Sequence, residues 1–253
     1  MFFEAGLFYL WHLLGTLLVI VPLFIWLSIK YKTASLSDKL KPIRIISLCL
    51  IGFEIIKIFL LISYDGYLAP LRYPIVFCSI ILYSYVLFAF KENKLSEGAR
   101  AISIIPAILA GLAFLIMPGN ITPEQTQINN WTLSHLMPIH SFVFHIIMIA
   151  VAVYMLVTKI YVFRKDNYYQ AFLSIVVYIG LATIISIGIG ADISIFGPNS
   201  GQLSILYNNF GYIGGQLILL LVSFGLFYGV HQLFGKKIKK EVVNADIIPQ
   251  STQ

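Results

Sequence analysis

Seven stretches of about 20 predominantly apolar residues follow one another along this chain, at 5–29, 43–63, 70–90, 100–117, 137–160, 169–190 and 211–234. A helix of that length rises about 30 Å, the thickness of a bilayer's hydrocarbon core. Hydrocarbon offers no hydrogen-bond partners, so a continuous apolar run crosses it as a helix that satisfies its own backbone. The expected fold is therefore all-α, a polytopic membrane protein of seven transmembrane helices forming one domain over residues 1–235. Charged residues make up only 11% of the chain, against about 25% in soluble domains. The first run, MFFEAGLFYLWHLL, has no positive leading segment and no small-residue cleavage site, which reads as a span rather than a signal peptide.

Lysine and arginine set the orientation. Lys30, Lys32, Lys39, Lys41 and Arg44 flank the first loop, Lys91, Lys94 and Arg100 the third, and Lys159, Arg164 and Lys165 the fifth. Lys236, Lys237, Lys239 and Lys240 follow the last run, so 15 of the 17 basic side chains fall on one side. By the positive-inside rule the N-terminus lies outside and the C-terminus in the cytoplasm, as a multi-pass protein of the cell membrane. The net charge of +6 then faces anionic headgroups, so membrane lipids are the expected partners and nucleic acid is not. Residues 236–253 read as a basic, disordered cytoplasmic tail. Nothing in the chain defines an oligomeric state.

A polar group inside a span costs about 2.5–3.5 kcal/mol on the insertion scale, so those that persist mark candidate sites. His12 lies in the first span, Glu54 and Lys57 in the second, Arg72 and Cys78 in the third, His140 and His145 in the fifth, and Asp192 just beyond the sixth. Given the orientation above, they gather between the middle of the bilayer and its outer surface, which points to a polar cavity opening outward. His231 stands apart near the inner rim, where a snorkelling or interfacial role accounts for it. Local pairing that only holds the bundle together, such as Glu54 with Lys57, is the competing explanation.

The segment SHLMPIHSFVFH carries His135, His140 and His145. Five-residue spacing turns successive histidines about 140° around a helix, so they do not share a face as a zinc-binding i, i+4 pair does. Pro138 favours a first helical turn, which leaves His135 at the mouth or in the loop. No metal site follows from the spacing, although convergence of His12, His140 and His145 from two helices would make one. Cys49 and Cys78 lie at different depths, which argues against a disulfide. A Cys78 thiol beside a histidine would form a nucleophile and base, with Glu54 orienting or balancing charge. The loops 118–134 and 190–212 are long, rich in Gly, Pro and Asn, and free of Lys and Arg, as lids or headgroup-contacting segments are.

The run Tyr73-Pro-Ile-Val-Phe-Cys-Ser-Ile-Ile-Leu-Tyr resembles the P-x-x-x-C element that opens the third span of bacterial YwaF-like integral membrane proteins. His12, Glu54, the His140–Tyr154 segment and Gly190-Ala-Asp-Ile-Ser-Ile-Phe-Gly also resemble elements of that family, in the same order from about residue 8 to 232. The family is similar to eukaryotic multi-span acyltransferases that remodel ether phospholipids, and distantly to androgen-induced membrane lipid hydrolases. The resemblance implies Cys78 as nucleophile and acyl carrier, His145 as general base and His140 as alternative or supporting base, with no cofactor. The chain departs from many relatives at Val76, where they carry a histidine two residues before the cysteine.

Two functions compete. One is a lipid acyltransferase or lipid hydrolase with a Cys–His pair in an outward-facing intramembrane pocket. The other is a non-enzymatic transporter or sensor built on the Glu54, Lys57 and histidine groups. A retinal protein needs a lysine inside its last span, and 211–234 contains none.

Overall fold

The computed structural model describes residues 2–65, 77–116, 131–164, 168–189 and 204–245, and every regular element among them is a helix. These are α1 (Phe2–Tyr31), α2 (Leu36–Asp65), α3 (Phe77–Phe90), α4 (Lys94–Ile102), α5 (Ile105–Ile116), α6 (Trp131–Val157), α7 (Tyr168–Ile189) and α8 (Ser204–Ala245). Among the described residues, six helical segments are long and apolar enough to cross a membrane, and Cys78–Phe90 adds a shorter apolar helix. The outward faces are aliphatic: Leu18, Ile29, Leu221 and Leu233 are all at least 70% exposed. Such a surface is stable against lipid tails and not against water. The chain is a multi-span membrane protein.

Local chemistry sets the helix ends. Ser35 caps α2, its hydroxyl accepting from the Asp38 N–H and donating to the Asp38 carboxylate, and Asn93 with Ser96 forms a capping box on α4. The expected fourth span starts earlier than residue 100 and is not one helix. Pro106 has no N–H to continue the ladder, and the chain turns at Ser103–Ile104 between α4 and α5. Lys159 takes a left-handed φ of 59° and ends α6, while Gly211, at φ 68°, kinks α8 where the last span was expected to begin.

Three further differences from the sequence reading concern α6 and α8. α6 begins at Trp131, so Pro138 lies inside it rather than in its first turn, and the backbone of His135 is helical. The backbone of α8 continues through the basic run to Ala245, where a disordered tail was expected from residue 236. Lys and Glu are good helix formers and simply prolong the helix that precedes them. His231 is fully buried and does not snorkel.

α6 is the centre of the bundle, packed on α1, α2 and α5, while α3 packs on α2, α4 and α5, and α7 on α4 and α8. Cross-links fix the level of one helix against the next. The Arg44 Nε donates to the Ala89 carbonyl at 2.7 Å, and the Tyr154 hydroxyl to the Lys39 carbonyl at 2.8 Å. Both lie at the end of the bundle that carries the basic loops, here called the basic end. Ten residues from Arg44 to Glu54, and eleven from Ala89 back to Cys78, each climb about 15–16 Å. On α6, His145 and His140 stand nine and fourteen residues back from Tyr154, about 14 and 21 Å along the helix, and there they meet the polar groups of α2 and α3.

Candidate functional site

Cys78 opens α3 and faces His145 across the bundle, with Sγ 3.2 Å from Nε2. The tautomer follows from the other ring nitrogen. His145 Nδ1 lies 2.7 Å from the Ser141 carbonyl, one turn earlier on the same helix. A carbonyl only accepts, so Nδ1 carries the proton and donates it to this bond. In the neutral ring Nε2 is then a bare lone pair, aimed at the Cys78 thiol, which donates to it. A helix backbone thus holds the imidazole in the protonation state and orientation that a general base requires. The ring is buried, edge-on to Phe144 with centroids 5.6 Å apart.

His140 faces a different helix, as the 140° rotation requires. Its Nε2 lies 3.4 Å from Glu54 Oε2, and its ring stacks on Phe144. The other carboxylate oxygen, Glu54 Oε1, takes the Lys57 ammonium one turn away. Glu54 is buried and both of its partners are largely so. Phe144 stands between the two histidines, so the site has two compartments: a thiol–imidazole pair and a carboxylate held between an ammonium and an imidazole. The bundle thereby brings together Cys78, His145, His140, Glu54 and Lys57. Arg72, Asp192 and the side chain of His12 lie outside the described residues. Cys49 is a free thiol exposed on the surface of α2. Among the described residues no three His, Cys, Asp or Glu side chains gather as metal ligands.

The sequence model of the TMEM164 family matches residues 4–228. The chain belongs to the TMEM164 family. That match takes in every residue of the Cys78–His145 and Glu54 clusters and stops short of His231. No curated protein and no solved structure matches the chain.

Four residues of this TMEM164-family bundle carry no signal that sequence reasoning could weigh. The Ser141 carbonyl is backbone. Gly111 on α5 lets that helix close on α6 at the level of the site, since a Cβ there would lie 2.5 Å from Ile149 Cγ1 and 3.0 Å from the His145 carbonyl. Ser84 and Ser103 meet at 2.6 Å beside the α4–α5 turn, each also donating to or facing a carbonyl of its own helix. At the basic end the Tyr161 hydroxyl lies 2.8 Å from His231 Nε2, and His231 Nδ1 lies 2.7 Å from the Phe227 carbonyl.

Proposed function

We propose that the protein is a membrane lipid acyltransferase, or a lipid hydrolase of the same chemistry, in which Cys78 is the nucleophile and His145 the base. The observation that carries this reading is the 3.2 Å approach of Cys78 Sγ to an imidazole nitrogen that the Ser141 bond leaves as an acceptor. His145 Nε2 takes the thiol proton as sulfur attacks the ester carbonyl of a membrane lipid. The tetrahedral intermediate collapses to a Cys78 thioester, and the departing lysolipid alkoxide takes the proton back from His145. A second lysolipid hydroxyl, deprotonated by the same nitrogen, attacks the thioester and regenerates the thiol. Water in that place gives hydrolysis instead.

The Glu54–His140–Lys57 cluster supports this by fixing charge beside the pair, and its buried carboxylate keeps two cationic-capable partners in position. Arg72, His12 and Asp192 are proposed to complete the rim of the pocket. The wider setting is a seven-span protein of the cell membrane, its third span completed by residues ahead of α3, with the N-terminus outside and the basic end in the cytoplasm. Lipid would then reach the site laterally from the outer leaflet.

The test is acyl exchange between a lysophospholipid and a phospholipid in proteoliposomes of the purified protein. Cys78→Ala and His145→Ala are each expected to lower it about 100-fold or more, and Cys78→Ala to abolish a hydroxylamine-sensitive acyl adduct. Exchange unchanged by both substitutions rejects the reading. The second reading, a non-enzymatic transporter or sensor, is favoured by one observation, the buried network on Glu54. It requires Glu54→Gln to change solute or proton flux while Cys78→Ala leaves it alone.

A further inference from the structure

A groove of about 480 Å³ runs lengthwise between α1 and α6, and neither Cys78 nor His145 is among its lining residues. Its walls are two helix stripes that are apolar for almost their whole length, and Ala150 leaves room at its floor. Its two lining residues with polar side chains, Ser28 and Lys32, both stand toward one extremity. From Leu17 to Lys32 the α1 stripe climbs about 22 Å. That is half of the 40–45 Å between the two headgroup layers of a bilayer, so the groove is one lipid leaflet deep. Its walls belong to hydrocarbon and its single cation stands at the headgroup level of the basic end.

We infer that this groove binds one anionic phospholipid, an acyl chain lying along α1 and α6 and the headgroup phosphate paired with Lys32. Charge selects the occupant: a lone ammonium at the mouth of an apolar slot matches a phosphate that carries net negative charge. Lys30 does not share the role, because its ammonium lies over the Trp26 and Tyr31 rings, 4.7 and 5.3 Å from their centroids, and it is not among the groove's walls. The inference is independent of the acyl-transfer reading, since Cys78, His145, His140, Glu54 and Lys57 are not among the groove's lining residues.

Retained lipid counted by native mass spectrometry on the full chain, delipidated and titrated with phosphatidylglycerol or phosphatidylcholine, tests it. The first phosphatidylglycerol is expected to bind about five-fold more tightly than phosphatidylcholine. Lys32→Gln should remove that preference and Lys30→Gln should keep it. Val153→Trp, at the exposed edge of the groove, should weaken both lipids while the thermal unfolding temperature of the lipid-free protein stays within a few degrees. A preference that survives Lys32→Gln overturns the inference, as does one lowered equally by Lys30→Gln, which would mean general charge attraction. Competition by soluble glycerol phosphate at the same concentration as the lipid would overturn it too, because the acyl groove would then contribute nothing.

Discussion

Two buried histidines, His145 and His231, are held in the same way and end in different chemistry. Each donates Nδ1–H to the carbonyl four residues earlier, Ser141 for one and Phe227 for the other. Each therefore offers Nε2 as an acceptor toward a neighbouring element. At His145 that nitrogen meets a thiol, next to a second polar compartment built on Glu54. At His231 it meets the Tyr161 phenol, inside a wall of rings from Phe163, Tyr168 and Phe234. A helix can pre-set a histidine's tautomer anywhere along its length. What the histidine can then do depends on the acidity and nucleophilicity of the group facing it. The Tyr161–His231 bond fastens the segment after α6 onto α8, which is a structural task.

The largest expected effect separates the two directly. His145→Ala should lower acyl exchange about 100–10,000-fold, whereas His231→Ala should leave the rate per folded molecule within two-fold and lower thermal stability. Equal losses of exchange at both positions would erase the distinction. Next in size is the polar compartment. Glu54→Ala strands Lys57 and His140 in a low-dielectric layer and should destabilise the protein by about 3–5 kcal/mol, measured by unfolding in detergent. Lys57→Met in the Glu54→Ala background should recover part of that loss, and failure to recover any would mean that the two side chains are not coupled.

Helix spacing gives a smaller effect. Gly111→Val forces a side chain against Ile149 and the His145 carbonyl, for an expected cost of about 1–3 kcal/mol and a displaced His145. Ile149→Ala should restore exchange in that variant. The smallest effect belongs to the aromatic end: Tyr161→Phe removes one neutral hydrogen bond, worth about 1 kcal/mol, with exchange unaffected.

How much of this was legible in the sequence differs between fold and site. Apolar runs of bilayer length and the one-sided lysines made a helical membrane protein the expected answer, because hydrocarbon leaves the backbone no alternative. The 140° offset separated His140 from His145, and they do face different helices. The break at Ser103–Ile104 was open to inspection in Pro106, yet a hydropathy window averages across a proline. His231 was misjudged because depth along a span says nothing about which way a side chain points. It is the packing of the 158–164 segment, turned by a left-handed Lys159, that covers it with rings.

The sequence by itself determined the solvent the chain lives in, the helical class, and which ionisable residues must find partners, since burial energy depends on residue type and run length alone. Only the tertiary structure decided the partnerships between elements: Cys78 with His145, Glu54 with His140, and Tyr161 with His231. Those depend on the rotation and level of one helix against another. Both are set by interhelical contacts such as Arg44 to Ala89, Tyr154 to Lys39 and the close approach at Gly111, and no single segment encodes them.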